Sequence, residues 1–345
     1  MNENVLVVKI ETLTPLWTGG VDRKCDRLHE TGIIGSLRWW YEAVIRGYGG
    51  TACDPSNSKC EGKTHCDVSE LFGCTDWARK FRLEVDFNQV ISKVWIGTRE
   101  NRRGEYLKRK VSGFMSDDSI ILKIIPLREI SKNEWALLNE TLKIIEDCGA
   151  LGAHISQGNG VIRIVENNLS YQYERVDFSL LKKDGNGVNS PNLDEFFFYK
   201  FQLKFTDDLS NLIDKHVFWT HAPDDRGFKD NWNNWKELWN KSHFLPIAFH
   251  IRDTIRRLES DGNKRHNIFG ELGKGSKVFV SHGYEIDEQT VMVKIFGYDV
   301  ENYIKNKIKN NFKSKLKEKL FSGGNYYLES CTLKEEKTGE EILES

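Results

Sequence analysis

Four glycines fall within twelve residues of the stretch CGALGAHISQGNGVIRI, residues 148–164: Gly149, Gly152, Gly158 and Gly160. Glycine opens left-handed backbone conformations and lets another backbone or a ligand come close, at an entropic cost. A chain that concentrates it here needs a close approach here. The phosphate cradle of a nucleotide-binding protein is the first candidate, and the spacing excludes it. The order is G-x-x-G-x5-G-x-G rather than G-x-G-x-x-G, and no Gly-Lys-Ser/Thr follows. The flanks are also reversed, since those cradles run strand, loop, helix. Here Ser131 and Glu134 form a capping-box pair. Trp135, Leu138, Leu142 and Ile145 follow at helical spacing. A helix therefore enters the loop, with Gly149 as its stop, and VIRIV, 161–165, leaves it as a strand. The plainer reading is a helix stop followed by a turn.

The same logic extends along the chain. Residues 5–13 read as a strand, and 32–50 as a helix opening near Ser36 and closing at Gly47. Its buried side is marked by Leu37, Trp40, Tyr41, Val44 and Ile45. A cysteine-bearing segment follows, then a strand over 77–87, an exposed basic loop or hairpin over 99–113, and a strand over 120–127. With the capped helix and the strand after the glycines, the order is β-α-β-β-α-β. The length of 345 residues suits two domains, and the Gly/Asn/Pro-rich stretch before residue 195 suits a linker. The expected fold class is α+β, with two tandem ferredoxin-like domains carrying insertions. Residues 1–168 form the first, 169–194 the linker and 195–345 the second. The second half holds a strand at 196–205 and a core stripe of Trp232, Trp235 and Trp239. It also holds an amphipathic basic helix over 303–321, with Ile304, Ile308, Phe312, Leu316 and Leu320 on its apolar side.

The two halves also resemble each other. GIIGSLRWWYEAVIR, 32–46, aligns with PIAFHIRDTIRRL, 246–258, which sets Arg38 opposite Arg252. Each half then reaches a Phe-Gly pair, Phe72-Gly73 and Phe269-Gly270. A lysine follows eight positions after each Phe, Lys80 and Lys277, just before a strand-like run. The Arg-to-Phe distance is 34 residues in the first half and 17 in the second. The difference is about the length of the cysteine-bearing segment. Two copies of one domain, the first with an insertion, account for the pattern.

Net charge is −1, so a nucleic-acid partner has to be met by local patches. Arg99, Arg102, Arg103, Lys108, Arg109 and Lys110 form one such patch, suited to tracking a phosphate backbone. Arg38, Arg79, Lys80, Arg82, Arg252, Lys274 and Lys277 are the other candidate phosphate contacts. Trp39, adjacent to Trp40 on one helix, is a candidate for base stacking. Gly152, His154, Gln157 and Gly158 are the candidate loop contacts. Cys53, Cys60, Cys66 and Cys74 form a candidate structural zinc site, with His65 as an alternate ligand, although no C-x-x-C knuckle is present. Seven cysteines and no secretory-type N-terminal stretch favour a reducing cytoplasm. No apolar run suggests a membrane span. No metalloprotease or nucleophile-elbow motif is visible, and His154 and His29 are the histidines a metal-independent ribonuclease would use.

TPLWTGG (14–20), ETGIIGSLRWWYEAVIRGYGG (30–50), CDPS (53–56), LFGCTDWARKFRL (71–83), GALGAHISQGNG (149–160) and GKGSKVFVS (273–281) together resemble the RAMP proteins of CRISPR systems. The nearest branch is subunit one of the type III-B Cmr complex. The glycine-rich loop before the last strand of a ferredoxin-like domain is a hallmark of that superfamily, and GALGAHISQGNG stands in that place. The resemblance implies two tandem domains and an RNA-binding, non-catalytic subunit. Its partners would be other Cmr subunits, the crRNA 3′ region and single-stranded target RNA. It leaves two rivals: a crRNA-processing endoribonuclease of the same fold, and a subunit that contacts only proteins. Under this reading the glycines let the loop lie against an RNA backbone or a neighbouring domain.

Overall fold

The computed structural model describes residues 5–22, 24–53, 65–100, 106–168, 175–183, 190–215, 217–218, 236–237, 239–271, 273–320 and 327–344; for 89–100, 106–109 and 317–320 it describes the backbone. In the first half, β1 (Leu6–Thr12) is followed by α1 (Glu30–Gly47), α2 (Asp67–Phe72), β2 (Phe81–Glu100), β3 (Tyr106–Pro126), α3 (Lys132–Cys148) and β4 (Ile162–Asn167). The sheet order is β2-β3-β1-β4, and every pairing is antiparallel. This is the β-α-β-β-α-β connectivity expected from the sequence.

The alternating pattern of β1 buries Leu6, Val8 and Ile10 in one core with Leu37, Trp40, Tyr41 and Val44 of α1 and Leu138, Leu142 and Ile145 of α3. The capping box of α3 is complete: Ser131 Oγ accepts from the Glu134 N–H and the Glu134 carboxylate accepts from the Ser131 N–H. The outward sheet face carries charge pairs such as Lys9–Glu166, Arg163–Glu11 and Arg82–Glu84.

Two boundaries differ from the sequence reading. α1 opens at Glu30 rather than near Ser36, and its first turn packs Gly32 against Thr18. A Cβ there would stand 2.8 Å from Thr18 Cβ. The strand expected over 77–87 starts at Phe81 and runs on to Glu100, and the basic segment forms the far part of a hairpin. β1 pairs only with Ile120–Ile124 of β3, so β2 and β3 continue as a two-stranded ribbon from Gln89–Ser116 to Glu100–Tyr106. Arg102 and Arg103 lie outside the described residues. The near part of the ribbon is anchored by a Leu16–Phe114 bridge, and Val111 and Met115 are buried in the second core.

The second half contains β5 (Phe196–Phe205), α4 (Leu209–Asp214), β6 (Phe244–Leu245), α5 (Ala248–Arg256), α6 (Gly262–Phe269), β7 (Val278–Val280), β8 (Gly283–Asp287), β9 (Thr290–Tyr298), α7 (Asn302–Leu320), β10 (Leu328–Thr338) and α8 (Gly339–Glu344). Its sheet reads β10-β5-β9-β8-β6, with β7 also on β9. Four of these strands, β8-β9-β5-β10, repeat the order β2-β3-β1-β4. Ile304, Ile308, Phe312 and Leu316 of α7 are fully buried in this core, as the apolar stripe requires. Trp239 is buried, while Trp232 and Trp235 lie outside the described residues. The terminal α8 returns to the first core, where Ile342 is buried and Leu343 O accepts from Tyr48 Oη at 2.6 Å.

The duplication is visible in backbone hydrogen bonds. Gly73 and Gly270 end α2 and α6 at φ +85° and +71°. The next residues form equivalent antiparallel bridges, Cys74–Trp77 and Glu271–Lys274. The Lys80 N–H then donates to Leu71 O at 3.0 Å, and the Lys277 N–H to Ile268 O at 2.9 Å. The helix carrying the matched arginine grips each turn. Arg38 Nη1 donates to Gly73 O at 2.8 Å, Arg252 Nη2 to Phe269 O, and Arg256 Nη1 to Gly270 O at 2.9 Å. A Cβ at Gly73 would lie 2.8 Å from Trp77 O, and one at Gly270 would lie 2.8 Å from Gly275 O. We therefore predict that Gly73→Ala and Gly270→Ala each destabilise by about 1–3 kcal/mol and that the two effects add. Thermal unfolding of the two single variants and the double variant checks both statements.

Candidate nucleic-acid interface

Each glycine of the 149–160 loop answers to a specific neighbour. Gly149 ends α3 in an extended conformation, φ −129°, rather than the left-handed one of a usual stop. It is required because the Trp40 ring lies where a Cβ would be, 2.5 Å from Cζ2. That indole donates from Nε1 to Ala150 O at 2.9 Å. Gly152, at φ +85°, faces Trp17 O, and its N–H donates to Ser36 Oγ at 2.9 Å. Ser36 thus anchors the loop from the middle of α1. The Ala153 N–H donates to Trp17 O, and the Gly160 N–H to Pro15 O.

Gly158 makes the contact that joins the halves. Its φ is +113°, and a Cβ would stand 2.3 Å from Ala248 Cβ and 2.7 Å from the His282 ring. Gly158 and Ser281 form a parallel bridge, and the His282 N–H donates to Gly158 O at 3.1 Å. The buried His282 imidazole accepts the Ala248 N–H at Nδ1, 3.2 Å, and burial drives its pKa down to about 3. Lys294 of β9 reaches across from the second sheet and donates to Glu146 O, a carbonyl of the last turn of α3. Cationic groups suit that end of a helix. A neighbouring domain is therefore one surface against which the glycine loop lies.

Beside this junction the loop forms one wall of a groove of about 910 Å³. Ser156 and Gln157 face Arg252 and Arg256 of α5, Arg257 at its C-terminal cap, Arg265 and His266 of α6, and Lys274 in the turn after Gly270. Five cationic side chains stand against two carboxylates, Asp253 and Glu271. The groove thus offers a local positive field on a chain with no net positive charge. Arg252 Nη1 donates to Ser156 O at 3.3 Å and to Ser276 Oγ at 3.2 Å, which ties both walls together. Arg257 and Lys274 are exposed, each with one carboxylate partner, Asp253 and Glu271 respectively.

The structure brings together Gln157, Arg252 and Lys274 of the sequence candidates, with Gly158 at the floor of the loop. It engages several others in internal contacts. Lys80 Nζ lies between Glu70 at 2.6 Å and Glu134 at 2.8 Å. Arg38 pairs with Glu42, Arg79 donates to Phe81 O, and Lys277 pairs with Asp299 at 2.5 Å. Arg82 is on the open face of the first sheet. Trp39 packs edge-on against Phe196, Phe279 and Tyr298 of the second half, so it serves the interdomain contact. Lys110 is exposed on the ribbon, and for Arg99, Lys108 and Arg109 only the backbone is described. His29 pairs with Asp26 at 2.8 Å. Arg256, Arg257, Arg265 and His266 were not singled out in the sequence. The spacing of Arg252, Arg256 and Arg257 along one helix was the available signal.

Among the described residues, no three His, Cys, Asp or Glu side chains form a metal-binding group. The Cys53 N–H approaches Cys66 Sγ at 3.4 Å, Cys74 Sγ lies 3.6 Å from Thr75 O, and Cys60 is outside the described residues. His65 stacks on Trp77 and pairs with Glu70. Among the described residues no helix is long and apolar enough to cross a membrane.

Fold and site together define a duplicated α+β protein in which the glycine loop of one unit is seated on the next beside a basic groove. Residues 9–163 match the model of the RAMP superfamily. No curated protein matches the chain. Among solved structures, the chain is similar to apo Cmr1 from Pyrococcus furiosus, with 13% identity and a TM-score of 0.41 over 86% of this chain and 88% of that one. It is also similar to a chain of the type III-B Cmr-beta complex bound to cognate target RNA and AMPPnP, with 11% identity and a TM-score of 0.43 over 93% of this chain and 100% of that one.

Burial lowers the Lys294 pKa to about 8. A lysine whose folded value is depressed binds fewer protons folded than unfolded between that value and its ordinary one near 10.5. The stability difference between the wild type and Lys294→Met should therefore shift in favour of the wild type as pH rises from about 8 to about 10.5. Urea unfolding of both proteins across that range measures it.

Proposed function

We propose that this protein is an RNA-binding, non-catalytic subunit of a type III-B CRISPR Cmr effector complex, built from two tandem ferredoxin-like domains and acting in the cytoplasm. It would contact the crRNA 3′ region and single-stranded target RNA alongside other Cmr subunits. The observation that carries the reading is the groove between the glycine loop and α5–α6. It presents guanidinium and ammonium groups along an open channel, the arrangement suited to a phosphate backbone. The match of residues 9–163 to the RAMP superfamily model and the motifs quoted from both halves support it. Lys110, exposed on the β2–β3 ribbon, adds one cation away from the groove.

The nuclease alternative needs a histidine with a proton-relay partner. His154 is packed flat on Trp17, which pulls its pKa below the usual histidine range.

The test is a gel-shift titration of purified full-length protein with end-labelled single-stranded RNA at several salt concentrations, scored also for cleavage. We expect a shift with intact RNA and an affinity that falls linearly with salt on logarithmic axes. The double variant Arg257→Glu/Lys274→Glu should bind at least about tenfold more weakly with a shallower salt slope. Specific cleavage products would overturn the non-catalytic reading. A flat salt response, or a double variant indistinguishable from wild type, would overturn the groove.

A further inference from the structure

The glycine loop has a second feature that phosphate binding does not use. His154 is a non-glycine residue at positive φ, +58°, immediately before the 3-10 turn Ile155–Gln157. Its imidazole lies parallel to the Trp17 indole, with centroids 4.0 Å apart and planes 10° apart. The histidine is exposed, while Trp17 beneath it is half-buried. Trp17 is held from its other side of the chain by the Gly152 and Ala153 contacts to its carbonyl and by close packing at Gly19, where a Cβ would be 2.8 Å from the ring. A left-handed backbone is uncommon for residues other than glycine, and asparagine, aspartate and histidine are the ones that adopt it most readily. Here it turns a flat ring outward on a rigid aromatic base. Packing against Trp17 desolvates the ring and lowers its pKa from the ordinary histidine value.

The stack also sits beside the groove. The Gln157 N–H donates to His154 O at 2.8 Å, so His154 is one 3-10 turn, about 6 Å along the axis, from a groove residue. Single-stranded nucleic acid is held by this pairing of features: a cationic track for the backbone and an aromatic face for an unstacked base. We propose that the Trp17–His154 stack is a nucleobase platform, on which one unpaired base of RNA lies on the outer face of His154 while its backbone follows the groove. The proposal rests on the RNA-binding reading of the groove and goes beyond it by assigning Trp17 and His154 a base-contacting role.

The test uses full-length protein and a single-stranded RNA carrying 2-aminopurine, which is quenched when it stacks on an aromatic ring. His154→Asn keeps a residue at ease with positive φ and keeps hydrogen-bonding capacity, but removes the ring. His154→Tyr restores a ring. Thermal unfolding of each variant establishes that it is folded. We expect His154→Asn to lose about 5- to 150-fold in affinity and to lose the quenching. His154→Tyr should retain most of both, and the salt slope should be the same in all three. Wild-type binding with a normal salt slope but no quenching, together with unchanged affinity in His154→Asn, would overturn the platform and leave the groove standing. Equal losses in His154→Asn and His154→Tyr would also overturn it. No binding by the wild type would overturn the groove and the platform together.

Discussion

The architecture depends on one close approach: the backbone of Gly158 against Ala248 and His282. A side chain at that position would collide with both, and several further contacts between the halves meet around the loop that contains it. Trp40 holds the loop from the first core through Ala150 O, Lys294 holds the end of α3 from the second sheet, and Arg252 holds Ser156. None of these groups is on the same element as another. The loop is thus over-determined by contacts from both units, which keeps a glycine-rich segment in one conformation despite the entropy glycine carries.

That rigidity separates two uses of positive charge. In the first unit, Arg38 and Lys80 are committed to carboxylates and to the turn after α2. In the second unit, the helix matched to α1 carries Arg252, Arg256 and Arg257. Two of these grip the equivalent turn, and together with Arg265 and Lys274 they leave the groove with more cations than carboxylates. The same scaffold is neutralised in one copy and left positive in the other.

Much of this was legible in the chain. The capping box, the apolar stripes of α1, α3 and α7, and the β-α-β-β-α-β order come from local periodicity and local hydrogen bonding, which sequence expresses directly. The repeat was legible too, because Phe72-Gly73 and Phe269-Gly270 mark turns that need a left-handed glycine. The function of individual cations was not legible. Lys80 and Lys274 look alike as letters, and only the folded chain places Glu70 and Glu134 around the first while leaving the second exposed. Trp39 was misplaced for a related reason: the face it covers belongs to β5, β7 and β9, more than 150 residues away in sequence. Helix spacing shows that Trp39 and Trp40 point in different directions, and it contains nothing about a second domain.

The matched turns after α2 and α6 share a backbone but not their surroundings. Lys80 and Arg38 of the first are held by Glu70, Glu134 and Glu42, and Lys277, the matched lysine of the second, by Asp299. The groove beside the second turn takes further charge from Arg257, Arg265 and Lys274, whose side chains take no part in the backbone bonds that close the turn. Side-chain charge can therefore change there while the turn itself stays closed.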